Sequence, residues 1–254
     1  MTDYVYCVVS SGKTKHLTCD AARLAPIMLR SLRETNPHVT VLMPCFLSLE
    51  QRNAMLDAFR GNMSFYPLAE AEIPMLMITK ILKLPEMPFR NGDRVFVLDV
   101  DLLVRGPLFD VFDDDHLDVA QTTRHYDYHS PINNGVFCFR YNDRTRRFLD
   151  HYADELRSPQ WEPYKQAYPP HTQMHLSDQA YMLAVYLHGP PVPCQMKDIG
   201  PMYNYCPADD VVGVEGAKRE IREAVSNPDI RVIHFKGDKV KGMMLSVAEE
   251  QGWT

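Results

Sequence analysis

Two aspartates stand one residue apart at Asp99-Val100-Asp101, directly after the apolar run Val95-Phe96-Val97-Leu98. In an extended chain, residues two apart point to the same side, with Cα atoms about 7 Å apart. Carboxylates aimed together repel unless a cation lies between them. A hard divalent ion, Mg²⁺ or Mn²⁺, suits a pair that leaves further positions to phosphate and water. The plain alternative is a strand terminus ending in solvated turn aspartates.

Three further segments carry polar groups suited to a ligand. Asn133-Asn134-Gly135-Val136 opens an expected strand. Its amides can bond hydroxyls, and its glycine permits close backbone approach. Ser177-Asp178-Gln179 opens an expected helix and reads equally as an N-cap with a first-turn acid. His234-Phe235-Lys236-Gly237 closes an expected strand and sets an imidazole beside Lys236, Lys239 and Lys241. Taken singly, each has an ordinary structural explanation.

Other candidates weigh less. His125 and His129 stand four apart, as do His171 and His175, but the second pair lacks the glutamate of HExxH and follows Pro169-Pro170. That excludes a zinc-protease helix. Arg144, Arg146 and Arg147 are expected on a solvated helix face, and Asp113-Asp114-Asp115 in a turn. Trp161, Tyr164 and Tyr168, in a proline-rich stretch, are either contacts to a bound ligand or aromatics tucked into the core.

These residues need a frame. Tyr4–Val9 and Val39–Met43 read as strands, and residues 19–34 and Leu47–Phe59 as helices, with a further helix over Met75–Leu84. Val95–Leu98 is wholly apolar, as in a sheet covered on both faces. The alternation predicts an α/β fold with a mostly parallel central sheet, whose ligands bind beyond the strands' C-terminal ends. Further along, Val119–Thr122, Gly135–Phe139 and Arg231–Phe235 are expected strands, and Asp143–Leu156 and Ser177–Leu187 helices. Lys236–Lys241 is expected as a basic loop.

The chain has 254 residues and a formal net charge of −6, which argues against general nucleic-acid binding. No apolar run approaches the roughly 20 residues of a membrane span. The first residues lack the pattern of a signal peptide. The six cysteines form no CxxC and are expected as reduced thiols. A soluble cytoplasmic protein of one domain is expected, with a division into two halves at about residue 122.

Taken together and in this order, the motifs resemble those of the family 8 retaining glycosyltransferases, the glycogenin-like and lipopolysaccharide-galactosyltransferase-like group. The resemblance implies the GT-A fold, a Rossmann-like nucleotide-binding half merged with an acceptor-binding half. The family's DxD stands here as Asp99-Val100-Asp101, its N-x-G-V as Asn133–Val136, its D-Q as Asp178-Gln179 and its H-x-x-G as His234–Gly237. Thr79-Lys80-Ile81 matches the T-K-L element ahead of DxD.

By that resemblance, Asp99, Asp101 and His234 would ligate Mn²⁺ or Mg²⁺. Lys80, Asn133, Gly135, Asp178 and Gln179 would hold the donor sugar of a nucleotide diphosphate, UDP being the expected nucleotide. Gly237 with Lys239 or Lys241 would bind phosphate, Ser10 would touch base or ribose, and Asp127 is a further candidate near the sugar. The implied activity is transfer of a hexose, with retention, to a glycan, lipid or protein acceptor. Gln179 is expected near the anomeric carbon for front-face attack, and Asp178 is the one motif carboxylate free of metal duty to act as nucleophile. The family often places a lysine, then Pro-Trp, after H-x-x-G; here Val240 takes the lysine's position, between Lys239 and Lys241.

Two rivals remain open. A haloacid-dehalogenase-type phosphotransferase would use Asp99 as nucleophile and Asp101 as acid/base, with Asp209-Asp210 as a metal pair. A non-catalytic sugar-binding protein of the same fold is the other.

Overall fold

A computed structural model describes residues 1–11, 21–124, 131–167, 177–207, 209–236 and 238–253. The first half lays down parallel strands. β1 (Asp3–Tyr6) is flanked by β3 (Thr40–Phe46) and β5 (Arg94–Leu98), and β4 (Asn62–Pro67) adds an outer edge on β3. The short β2 (Val9–Ser10) runs beside the far end of β3. α1 (Ala21–Thr35) and α2 (Leu49–Phe59) make the crossovers. α1 turns Leu24, Ile27, Met28 and Leu32 inward at helical spacing. Ser48 caps α2, accepting from the backbone of Gln51, whose side chain returns the bond.

One strand of this sheet reverses direction. β8 (Ile132–Arg140) runs antiparallel to β5 and to β7 (Val119–Thr123), and β9 (Met196–Asp198) closes the other edge parallel to β7. The sheet is therefore mixed but mostly parallel, in the order β4-β3-β1-β5-β8-β7-β9. Apart from it, β6 (Leu102–Val104) pairs antiparallel with β10 (Val232–His234).

Two apolar clusters cover the two faces. One gathers Phe96, Cys138, Val41 and Val5 against α1, α2, α7 (Asp209–Ser226) and α8 (Asp238–Glu250). The other gathers Val95, Val97, Phe137 and Phe139 against α3 (Leu76–Leu82), α4 (Asp143–Arg157) and α6 (Ser177–His188). Alternate residues of β5 and β8 thus serve opposite cores, which explains why neither strand shows polar alternation.

Several elements depart from expectation. α7 and α8 fall where no helix was expected, and the expected basic loop Lys236–Lys241 becomes, from Asp238, the first turn of α8. Arg144 is not a free surface charge, because it grips the buried Asp118 at 2.7 and 2.8 Å. Tyr164, in α5 (Glu162–Ala167), is a core residue at 1% exposure, and Trp161 packs on His151 and Tyr181. Tyr168, Asp127 and the histidine pairs at 125/129 and 171/175 lie outside the described residues. The five described cysteines are free.

Candidate active site

Sheet geometry assembles the site at the C-terminal end of β5. Antiparallel pairing sets Leu98 opposite Val136, and the Asp99 N–H donates to the Gly135 carbonyl at 2.8 Å. The start of β8 therefore lies beside the aspartates. Just past Asp101, the β6–β10 pair sets His234 opposite Leu102, and the Phe235 N–H donates to the Asp101 carbonyl at 2.8 Å. Residues 36 to 134 positions apart in sequence meet through these two antiparallel pairings.

The ligand atoms of Asp99, Asp101 and His234 all lie within 4.8 Å of one another. Burial pushes the Asp101 carboxyl up, but His234 at 3.3 Å and Lys241 at 3.0 Å outweigh it and hold Asp101 well below the usual carboxylate range. The imidazole is set by its other nitrogen. Asn204 Nδ2 donates to the Asn133 carbonyl and Thr122 Oγ1, so its Oδ1 is an acceptor for His234 Nδ1–H at 3.0 Å. With Nδ1 committed to Asn204, Nε2 is the nitrogen that faces Asp101, where a metal ion would take the place of its proton. Gly135 makes the approach possible: a Cβ there would stand 2.3 Å from His234 Cε1. Two carboxylates and a neutral imidazole, oriented from behind, fit a divalent ion such as Mn²⁺.

Beside this group lies a buried polar network. Lys80, from α3, is 3% exposed and donates to Asp99 Oδ1 and to the Asn134 carbonyl, both at 2.9 Å, with Asp178 Oδ2 at 3.6 Å. Burial works against its charge, but Asp99 and Asp178 prevail and raise its pKa. Tyr6 anchors α3 to the sheet, its hydroxyl donating to the Lys80 carbonyl. Asp178 is 1% exposed; burial raises its pKa against the opposing pull of Lys80 and Asn134. Both of its oxygens are engaged, one by Asn134 Nδ2 at 3.0 Å and one by the Gln179 N–H at 2.8 Å. Tyr152 ties the network to α4, donating to the Asp178 carbonyl and accepting from Asn134 Nδ2. Its ring stacks on Tyr181 at 4.0 Å, locking α4 against α6.

The sequence candidates divide accordingly. Lys80, Asp99, Asp101, Gly135, Asp178 and His234 come together. Asn133 turns to the other side of β8, accepting from the Gly135 N–H and donating to Cys206 Sγ, while Asn134 faces Asp178. Gln179 is partly buried at the start of α6, with Arg124 Nη2 at 3.5 Å. Ser10 is fully buried in β2 rather than in a loop. Lys241 sits on Asp101, and Val240 is buried in the core. Gly237 lies outside the described residues, as do the side chains of Lys239, Asp209 and Asp210.

Ser10 Oγ and Asn134 Oδ1 are among the buried side-chain atoms that make no hydrogen bond with the described residues. Such atoms cost free energy unless a ligand or water satisfies them. Sequence reading assigned no role to Tyr152 or Asn204. Tyr152 was hidden in the apolar stripe of α4, and Asn204 lies in an irregular segment with no motif.

No model of a protein family matches the sequence, and no curated protein sequence matches it. Solved structures do. The galactosyltransferase LgtC, in complex with donor and acceptor sugar analogs, matches at TM-score 0.63 and 15% identity over 100% of both chains. The glycosyltransferase GlyE of Streptococcus pneumoniae TIGR4 matches at 0.62 and 13% over 99% of this chain, which spans 64% of GlyE. Mouse xyloside xylosyltransferase 1 matches at 0.57 and 13%, over 92% of this chain and 98% of that one. From its first strand to its last helix, the chain has the GT-A fold of these glycosyltransferases.

Proposed function

We propose that this chain is a metal-dependent glycosyltransferase that moves a hexose from a nucleotide diphosphate sugar, UDP being the expected nucleotide, to an acceptor hydroxyl with retention of configuration. The acceptor is a glycan, a lipid-linked sugar or a protein side chain. One observation carries the reading: on this fold, Asp99, Asp101 and His234 converge within 4.8 Å beside the buried Lys80–Asp178–Asn134 network. A divalent ion bound by these three residues would neutralise charge on the diphosphate.

The chain's own residues supply the rest. Lys80 and Asp178 form a preorganised floor at the end of the central strands β5 and β8, and their fixed charges suit the hydroxyls of a donor sugar. Asn134 Oδ1 and Ser10 Oγ, both lacking partners, are suited to hydroxyl groups of sugar and nucleoside. Both oxygens of Asp178 are held by hydrogen bonds, which favours a positioning role over nucleophilic attack. Gln179, partly exposed on the same turn, is the group suited to the reacting face. Front-face attack follows, the acceptor hydroxyl passing its proton to the departing phosphate.

Thermal unfolding with UDP, GDP and ADP, each with and without Mn²⁺, tests this reading. A nucleotide at 100 times its Kd adds about 2.7 kcal/mol, a rise of about 5–10 °C for a chain of this size. The expected rise requires Mn²⁺ and vanishes in Asp101→Asn. Release of free sugar or transfer from the matching sugar nucleotide separates an enzyme from a binding protein. No shift with any nucleotide would overturn the proposal.

A further inference from the structure

β4 is the outer strand of the sheet, and among the described residues no strand pairs with its free edge. The Leu68 N–H donates to the Cys45 carbonyl of β3 at 3.0 Å. By the alternation of an extended chain, the backbone groups of Asn62, Ser64 and Tyr66 also face β3, and those of Met63 and Phe65 face outward. Pro67 falls in the outward series, where its missing N–H costs the sheet no bond. A row of unpaired groups like this is normally blunted by charge, by a bulge or by short length. The opposite edge, β9, is protected in that way: it has three residues and carries exposed Lys197 and Asp198. β4 has six residues and no charged side chain.

The free edge is complementary to itself. A twofold axis at Ser64, perpendicular to the sheet, sets Met63 opposite the partner's Phe65 and Phe65 opposite the partner's Met63. Both residues face outward, so each pair can exchange both N–H···O=C bonds. Their side chains lie on one face, beside the core cluster under α2, where thioether meets aromatic ring. On the other face Ser64 meets its own copy and Asn62 meets the partner's Tyr66, with no charge to hold the strands apart. The strand ends also match in charge. Exposed Arg60 precedes β4 and exposed Glu70 follows it, so antiparallel pairing brings each basic end to the partner's acidic end. The same axis keeps both copies of α2 on one side of the joined sheet, and that helix leaves Leu49 and Leu56 exposed.

We propose that β4 pairs antiparallel with β4 of a second copy of this chain, about a twofold axis at Ser64, and joins two sheets into one. Such a contact is isologous and closes at two copies. Six strand residues a side are fewer than the roughly 20–30 of a standard interface, so the dimer forms with a Kd of about micromolar or weaker. β3 and β1 stand between β4 and β5, so the pairing leaves the group of Asp99, Asp101 and His234 open.

Sedimentation velocity on the full chain, from about 1 to 300 µM, tests the proposal. The mass of the wild type should rise with concentration from one chain toward two. Ser64→Lys sets like charges opposite each other at the axis and should stay a single chain throughout. Its melting temperature at the lowest concentration should match the wild type, because Ser64 is exposed. Ser64→Cys reads the register. A non-hydrogen-bonded pair has its Cα atoms about 4.5 Å apart, within disulfide range, so oxidised glutathione should link two copies covalently. Asn62→Cys, whose copies would stand about 14 Å apart, should not link. A wild-type chain that remains single at every concentration overturns the proposal. So does a dimer that persists in Ser64→Lys, that fails to link through Ser64→Cys, or that links equally through Asn62→Cys, because each places the contact elsewhere.

Discussion

Gly135 shows how one missing side chain shapes the site. Its backbone faces the His234 ring so closely that an added Cβ would meet Cε1 at 2.3 Å and Nδ1 at 2.7 Å. Both contacts are on the ring edge held by Asn204, so the imidazole would have to leave that partner and Asp101 together. Gly135→Ala is therefore expected to cost about 1–3 kcal/mol of stability through overpacking. It should also cost about 10–100-fold in Mn²⁺ affinity, as loss of a ligand's supporting shell does. Mn²⁺ titration of a variant verified as folded checks this, and unchanged affinity would remove His234 from the ligand set. The same geometry accounts for a glycine inside a fully buried strand, where glycine otherwise weakens the structure.

At the scale of elements, the end of the sheet away from the site is held by one carboxylate. Asp118, 1% exposed at the start of β7, accepts from Arg144 Nε and Nη2, from Asn142 Nδ2 and from the Gln195 N–H, at 2.7–2.8 Å. It joins β7, the capped N-terminus of α4 and the segment entering β9. Burial alone would raise its pKa, but Arg144 and the other donors lower it below the ordinary value. A group whose folded pKa is depressed stabilises fully above its unfolded pKa, about 3.9, and loses that contribution as the pH falls through the folded value. Asp118→Asn is expected to cost about 1–3 kcal/mol at neutral pH. The gap from the wild type should hold down to about pH 5 and narrow below about pH 4. Denaturation midpoints across that range check it, and a gap that widens in acid would contradict the pairing.

What the sequence made legible follows the same division. β5 was readable because both its faces are apolar, and α4 because Asn142 caps a strongly amphipathic run. β8 begins at Ile132, so that the expected polar opening at Asn133-Asn134 lies inside the strand with the apolar run Gly135–Phe139. Asn133 and Asn134 looked like a polar strand opening, but they are buried because Cys206, Asp178 and Tyr152 come from other elements to satisfy them. α7 is interrupted by Gly213 at φ 72°, which breaks the periodicity, and the lysines at the start of α8 masked the buried Val240, Met244, Val247 and Ala248. The convergent trio Asp99, Asp101 and His234 was legible as motifs, since its residues flank strands. The orienting Asn204 was not, because its role exists only in three dimensions.

At the scale of the whole molecule, the end of the described chain closes onto its first helix. Trp253 is 7% exposed, and its Nε1–H donates to Glu34 at 2.7 Å, while Arg30 donates to its carbonyl. Both partners lie on α1, so this contact clamps α8 to the layer beneath β1 and β3. α8 also carries Lys241, whose ammonium neutralises Asp101, and it follows directly on His234 and Lys236. The stretch of more than 20 residues from Arg231 onward, anchored on α1 at its end, therefore carries His234 and Lys241 to the site. Trp253→Ala is expected to cost about 3–5 kcal/mol, the range for truncating a buried aromatic. The loss should not spread evenly. Amide exchange should rise across Asp238–Glu250 before it rises in β1 or β5, because α8 docks on a surface those strands complete without it. Mn²⁺-dependent nucleotide binding should weaken in the same variant, although Trp253 touches none of the site residues. Exchange that rises equally in α8 and the central strands would mean that the molecule opens as one unit, and that the docking of α8 does not separately govern the site.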